Sequence, residues 1–213
     1  MSAAKPIDFW FAIGSTYTYL AVSRIDALEA ASGVTFSWRP FNIRHVLIEH
    51  NNNTPYPDAS SKSAYMWRDI ERWFELIGLS PRLPAPYPTP NSPLANQVAM
   101  LAAQEGWVKE YTKATYRLWF EHGQFCGEDP NLSASIEQAG EDPERVLSEA
   151  CSEAIVAALQ SATEEAMDLG VFGAPTFVVG KELFWGNDRM EDAVCWAKKG
   201  KLASRPFGQT NRS

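Results

Sequence analysis

IDFWFAIGSTYTYLA, residues 7–21, changes its periodicity at Gly14-Ser15, and that change decides the fold. Residues 7–13 are apolar apart from Asp8 and rich in aromatic and β-branched side chains, which is the composition of a buried strand. Beyond the break, Tyr17, Leu20, Ala21, Ile25 and Leu28 recur at three to four residues. This spacing predicts a helix from Thr16 to Ser32, with Ser15 or Thr16 as its N-cap and Gly33 closing it. Val34 to Pro40 (VTFSWRP) then alternates Val34, Phe36 and Trp38 against polar partners. It reads as a second strand, parallel to the first through a right-handed crossover, so the chain opens as βαβ.

Further out, Asn42 to Asp58 reads as irregular, with Asn51-Asn52-Asn53-Thr54-Pro55 as a breaker cluster. Helical periodicity returns over Ser60 to Ile77, and Pro81 to Pro93, with six prolines, is an extended connection because proline fixes its own φ and supplies no amide donor. Leu94 to Glu105, Lys109 to His122, Leu132 to Ala139 and Pro143 to Asp168 read as helices, the last with a break near Ala150. Thr176 to Val179 and Leu183 to Trp185 are strands joined by a Gly180-Lys181 turn, and a helix from Asp188 or Arg189 to Lys199 ends the pattern. An N-terminal βαβ, a helical block and a C-terminal ββα describe an α/β, thioredoxin-like fold with a large all-helical insertion. On this reading residues 1–42 and 165–213 form the sheet domain and residues 43–164 the insertion domain.

Composition excludes several classes of function. With 45% hydrophobic, 12% aromatic and 21% charged residues, the 213-residue chain is of ordinary globular type. A formal net charge of -7 without a basic cluster argues against nucleic acid and anionic lipid as partners. No stretch approaches the roughly 20 apolar residues of a membrane span, and residues 1–6 do not resemble a leader, so a cytoplasmic location is expected. Cys126, Cys151 and Cys195 are far apart and odd in number, which argues against a disulfide framework or a CxxC pair. His45, His50 and His122 share no metal-ligand spacing, so no metal is expected.

Four pieces in order carry a family resemblance: IDFWFAIGSTYTYLA, NNTPYP followed by KSAYMWRDIERW, GVFGAPTFVV, and FWGNDRM. Together they resemble the 2-hydroxychromene-2-carboxylate isomerase family, which is close to the kappa-class glutathione transferases and more distantly similar to the DsbA disulfide oxidoreductases. Ser15 matches the family's catalytic serine, which stands where DsbA-like relatives have a nucleophilic cysteine. The usual Ser-Pro-Tyr-x-Tyr reads Ser15-Thr16-Tyr17-Thr18-Tyr19 here, with Thr16 in place of proline. Asn53 and Lys62 match polar residues that face the glutathione or substrate cleft, and Asp69 matches an acid of the same segment. Ala174-Pro175 matches the cis-proline element. Asn187-Asp188, preceded by Trp185 and Gly186, matches the pair that receives the γ-glutamyl end of glutathione.

The resemblance implies glutathione as cofactor, a homodimer, and isomerisation of a small aromatic carboxylate, 2-hydroxychromene-2-carboxylate, to trans-o-hydroxybenzylidenepyruvate. The residue types suit that chemistry. A thiol with a pKa of roughly 8.5 is more readily ionised beside a helix N-terminus and a hydroxyl donor, and serine cannot itself form a disulfide. Ala174 would hold the cysteinyl backbone of glutathione, Asp188 its amine, and Lys62 a carboxylate. Asn53, Lys62 and Tyr87 are expected at the substrate, with Trp10, Phe41, Tyr65, Trp67 and Trp185 as further candidate walls. Simpler readings compete: Ser15 as an ordinary N-cap, Asn53 as an Asx-turn, Lys62 as a solvated charge, and Asn187 or Asp188 as a cap of the last helix. Competing functions are a kappa-class-like transferase, a non-catalytic thioredoxin-like binding module and, disfavoured because no cysteine lies near Ser15, a disulfide oxidoreductase.

Overall fold

The computed structural model describes residues 6–50 and 61–203. Strand β1 (Ile7–Phe11) runs parallel to β2 (Phe36–Pro40), in register from Ile7 opposite Phe36 to Phe11 opposite Pro40. On its other edge β1 is antiparallel to β3 (Thr176–Val179), which forms a hairpin with β4 (Glu182–Trp185). The sheet order is β2-β1-β3-β4, the mixed four-stranded sheet of a thioredoxin-like fold. Gly180, at φ 67°, closes the tight β3–β4 turn.

Successive side chains of β1 point to opposite faces of the sheet, so they are shared between two cores. Ile7, Phe9, Phe11 and Ile13 enter the larger one. There Phe9 stacks on Phe11 and Phe177 with centroids 5.3 Å apart, and Trp38 stands edge-on to Phe9 at 4.9 Å. Each such aromatic pair adds about 0.5–1.5 kcal/mol beyond burial alone. Trp10 and Ala12 face the opposite way, into a smaller core with Phe41, Val46, Ala166, Val171 and Val178. Trp10 and Phe41 are thus fully buried packing residues, which corrects the expectation that they wall a ligand site.

The predicted helix Thr16 to Ser32 is two helices, α1 (Thr16–Val22) and α2 (Ile25–Ser32). Apolar spacing continues across the break and conceals it. At the break the Ser23 hydroxyl donates to the Leu20 carbonyl, and Arg24 reaches out to Glu191 at 2.7 Å and lies over the Trp73 ring. The segment expected to be irregular contains α3 (Ile43–Glu49). Asn42 caps this helix through the His45 amide and donates its own N–H to the Thr163 hydroxyl; Ile43, Val46 and Leu47 stand at helical spacing, but the stripe is too short to mark a helix by itself. The breaker cluster at residues 51–55 lies outside the described residues.

Among the described residues six more helices precede β3: α4 (Ser61–Ile77), α5 (Ser92–Glu105), α6 (Val108–His122), α7 (Asn131–Gln138), α8 (Pro143–Ala150) and α9 (Glu153–Asp168). The break near Ala150 falls between α8 and α9, where the Ser152 side chain caps α9. A 3-10 turn (Asn187–Arg189) and α10 (Met190–Lys199) complete the chain's regular structure among the described residues.

Gly127 is held at φ 82°, and a Cβ there would run into the Asn91 carbonyl at the start of α5. Gly127→Ala is therefore expected to lower stability by about 2 to 4 kcal/mol through left-handed strain and backbone collision together. Urea unfolding measures this, and an unchanged midpoint would contradict the close approach.

Candidate active site

Past Phe11 the β1 chain runs on through Ala12, Ile13 and Gly14 to the start of α1. Asn96, 3% exposed on α5, meets this segment with its side-chain amide. Its Oδ1 accepts the Ile13 N–H at 2.8 Å and its Nδ2 donates to the Ile13 carbonyl at 2.8 Å. The buried Tyr116 hydroxyl lies 2.8 Å from the Ala12 carbonyl and 3.1 Å from that of Ser15. Gly14 has φ 109°, and a Cβ there would come within 3.1 Å of both Ser92 Cβ and Thr89 Oγ1, so the turn into α1 requires glycine.

Ser15 occupies the N-cap position of α1 with extended backbone, but its side chain makes no capping hydrogen bond. Its hydroxyl instead donates to the Ala174 carbonyl at 2.8 Å, across 159 residues of sequence. That carbonyl belongs to a cis Ala174-Pro175 peptide just before β3. The Thr176 hydroxyl donates to the Gly173 carbonyl at 2.7 Å, and the Gly186 N–H donates to the Pro175 carbonyl at 2.9 Å, which fastens this turn to the end of β4. The Trp185 indole lies where a Gly173 side chain would be, and its ring packs 4.9 Å from Phe172 on the surface.

The two residues after Gly186 diverge. Asp188 is exposed, and its carboxylate folds over Gly186, whose φ is 105°. Asn187 is buried, and neither its Nδ2 nor its Oδ1 has a hydrogen-bond partner among the described residues. A buried orphan amide is costly unless a partner completes it. An acid beside an amide matches the amine and carboxylate of an α-amino acid end. A hydroxyl facing a backbone turn matches a peptide thiol.

On the other side of α1, the Thr16 hydroxyl, standing where the family has proline, donates to Met66 Sδ at 3.4 Å, and the Tyr17 hydroxyl donates to Asp69 at 3.1 Å. Both contacts hold α4 against the helix start. Beside them opens a cleft of about 520 Å³, lined by Ser63, Trp67, Pro84, Pro86, Tyr87 and Phe125 among others. The Trp67 and Tyr87 rings stand edge to face at 6.0 Å, and the Trp119 indole donates to the Pro86 carbonyl to fix the proline wall. Lys62 is exposed in the first turn of α4, next to Ser63. Trp67 and Tyr87 line this cleft, Tyr65 points to solvent, and Trp185 sits on the proline-turn side. Asn53 lies outside the described residues.

No group of His, Cys, Asp and Glu among the described residues could hold a metal ion, and no helix among them is long and apolar enough to cross a membrane. Cys126 is buried, and that burial pushes its thiol up to about 12. Sequence reasoning missed Asn96 and Tyr116. A lone amide within the otherwise apolar stripe Ala95, Val98, Ala99 and Ala102 was the available signal for Asn96.

The model of the DSBA-like thioredoxin domain matches residues 6–194. A 2-hydroxychromene-2-carboxylate isomerase from Sphingobium xenophagum is 29% identical over 193 residues, covering 88% of this chain and 95% of the relative. Glutathione S-transferase kappa 1 of Caenorhabditis elegans is 26% identical and covers 97% of each chain. A solved 2-hydroxychromene-2-carboxylate isomerase structure superposes with a TM-score of 0.77 at 26% identity, over 87% of this chain and 90% of that one.

With Cys126 buried and its pKa raised, the thiolate that reacts is scarce at neutral pH and inaccessible. A thiol reagent at pH 8 should modify the exposed Cys151, Cys195 more slowly, and Cys126 only after denaturation. Rapid labelling of Cys126 in the folded protein, read by peptide mass mapping, would contradict this burial.

Proposed function

We propose that this chain, which belongs to the DSBA-like thioredoxin domain family, is a glutathione-dependent isomerase that converts 2-hydroxychromene-2-carboxylate, or a closely related aromatic carboxylate, to its trans-benzylidenepyruvate form. The observation that carries the reading is the Ser15 hydroxyl, unused as a cap and 2.8 Å from the carbonyl of the Ala174-Pro175 turn. Glutathione, when bound, supplies the nucleophilic sulfur that the chain lacks at this position.

Each residue then has a task. Ser15 turns its O–H from the Ala174 carbonyl to the sulfur and keeps it ionised by a charge-assisted hydrogen bond, a kind about twice as strong as a neutral one. The Thr16 and Tyr17 amides, which open α1 and make no backbone hydrogen bond among the described residues, favour the same negative charge. Ala174 offers its freed carbonyl, and an N–H that makes no backbone hydrogen bond among the described residues, to the extended tripeptide. Asp188 takes the amine, with Asn187 and Gly186 beside it. Trp185 covers Gly173 as the rim of this half of the site. Lys62, and Asn53 on the strength of the resemblance alone, face carboxylates. The cleft beside α4 suits a flat aromatic acid, because its walls are apolar rings and prolines and its volume falls within the roughly 300–1,000 Å³ of ligand pockets.

A transferase reading is favoured by the kappa relative, which aligns over 97% of both chains. The two activities need the same ionised sulfur and differ in the product. Incubation with glutathione and an aryl halide, and separately with a hydroxychromene carboxylate, distinguishes conjugation from isomerisation.

Ser15→Ala is expected to lower kcat by more than about tenfold, since one preorganised donor is worth about 2 to 4 kcal/mol in a transition state. Near-normal turnover would remove Ser15 from the mechanism. Asp188→Ala should leave the aromatic cleft intact and weaken glutathione binding by several-fold in titration calorimetry. A wild-type protein that takes up no glutathione, with or without an aromatic co-ligand, would refute the function.

A further inference from the structure

We propose that Asn96 is the positioning residue that sets where the Ser15 hydroxyl stands, acting through the backbone of Ile13; this rests on the role given to Ser15 above. Strand pairing ends before the site begins. The last β1 partners are Pro40 on β2, opposite Phe11, and Thr176 on β3, opposite Trp10. Beyond them Ile13, fully buried, has no strand neighbour for its N–H or its carbonyl. Both groups are met by a single side chain, since Asn96 Oδ1 accepts from Ile13 N at 2.8 Å and Nδ2 donates to Ile13 O at 2.8 Å. The second Nδ2 hydrogen goes to the Ser92 carbonyl at 2.7 Å, which ties the amide to the first turn of its own helix. Asn96 therefore acts as one more residue of a neighbouring strand, delivered by a helix.

This pairing fixes both ends of Ile13. Only Gly14 then separates the fixed residue from Ser15, and Gly14 is itself confined by Thr89 and Ser92. Tyr116 steadies the same turn from behind through the Ala12 and Ser15 carbonyls, and the Ser15 N–H closes it on Ala12 O at 3.1 Å. With the backbone so held, the Ser15 side chain reaches its position through one rotation. No other side-chain chemistry fills the place of Asn96: aspartate loses both donors and sets a negative charge against the Ile13 carbonyl, and alanine leaves two buried backbone groups unmet.

The test compares Asn96→Asp, Asn96→Ala, Ser15→Ala and the double variant Ser15→Ala/Asn96→Asp, with kcat and glutathione affinity measured separately. Asn96→Asp and Asn96→Ala should each lower kcat by about tenfold, as loss of a positioned donor does, while glutathione dissociation constants stay within about threefold. In the Ser15→Ala background Asn96→Asp should cost less than about twofold more, because residues that act through one another are not additive. Multiplicative losses, or kcat unchanged in Asn96→Asp, would overturn the proposal. If Ser15→Ala loses turnover while the Asn96 variants keep it, the positioning role alone falls; if Ser15→Ala is silent, the role given to Ser15 falls and this one with it. Should the Asn96 variants fail to fold, NMR of the wild type decides: a slowly exchanging Asn96 side-chain amide and a protected Ile13 N–H support the pairing, and fast exchange of both overturns it.

Discussion

Strand β1 has a neighbour on each edge and a core on each face, and the site exists because that strand cannot move. Its edges bind β2 and β3, so the chain leaving β1 at Ala12 and the chain entering β3 at Pro175 are brought side by side. Its faces bury Phe9 and Phe11 one way and Trp10 and Ala12 the other, which makes a one-residue slip impossible without exposing one set and crowding the other. From this fixed register the Ser15 hydroxyl meets the Ala174 carbonyl.

Serine in that position changes what the scaffold can do. A cysteine at the start of α1 would exchange with disulfides, whereas a hydroxyl neither oxidises nor attacks sulfur. What stands around the serine is the start of α1 with its Thr16 and Tyr17 amides, the cis Ala174-Pro175 turn, and the aromatic cleft lined by Trp67 and Tyr87. On the proposed reading, such a site would stabilise a sulfur brought by a small molecule. The Cys126 thiol is buried, and that burial keeps it protonated and out of reach of a ligand.

Legibility varied with how local the cause was. The four strands, the long helices and the Gly14-Ser15 transition were visible because periodicity and turn chemistry are written in neighbouring residues. The division of Thr16 to Ser32 into α1 and α2 was hidden, since apolar spacing continues across the break and the partners Arg24 meets there, Glu191 and Trp73, lie far along the chain. Helix α3 was hidden for a similar reason, its start being held by Thr163 on α9. Trp10 and Phe41 looked like ligand walls because aromatic type does not say which side of a sheet is covered.

For the site, the chain by itself determined the inventory: a serine where a thiol is possible, a proline after Ala174, an acid and an amide ahead of the last helix, and an aromatic-rich segment around Trp67. Tertiary structure alone decided which atoms meet. The Ser15 hydroxyl turns away from its own helix toward a carbonyl 159 residues on, and an asparagine 83 residues away completes the backbone of Ile13. Residue types and local spacing are properties of short stretches of chain. The meeting of distant polar groups depends on register, burial and the need to satisfy every buried donor and acceptor, and those are settled only when the sheet and helices pack together.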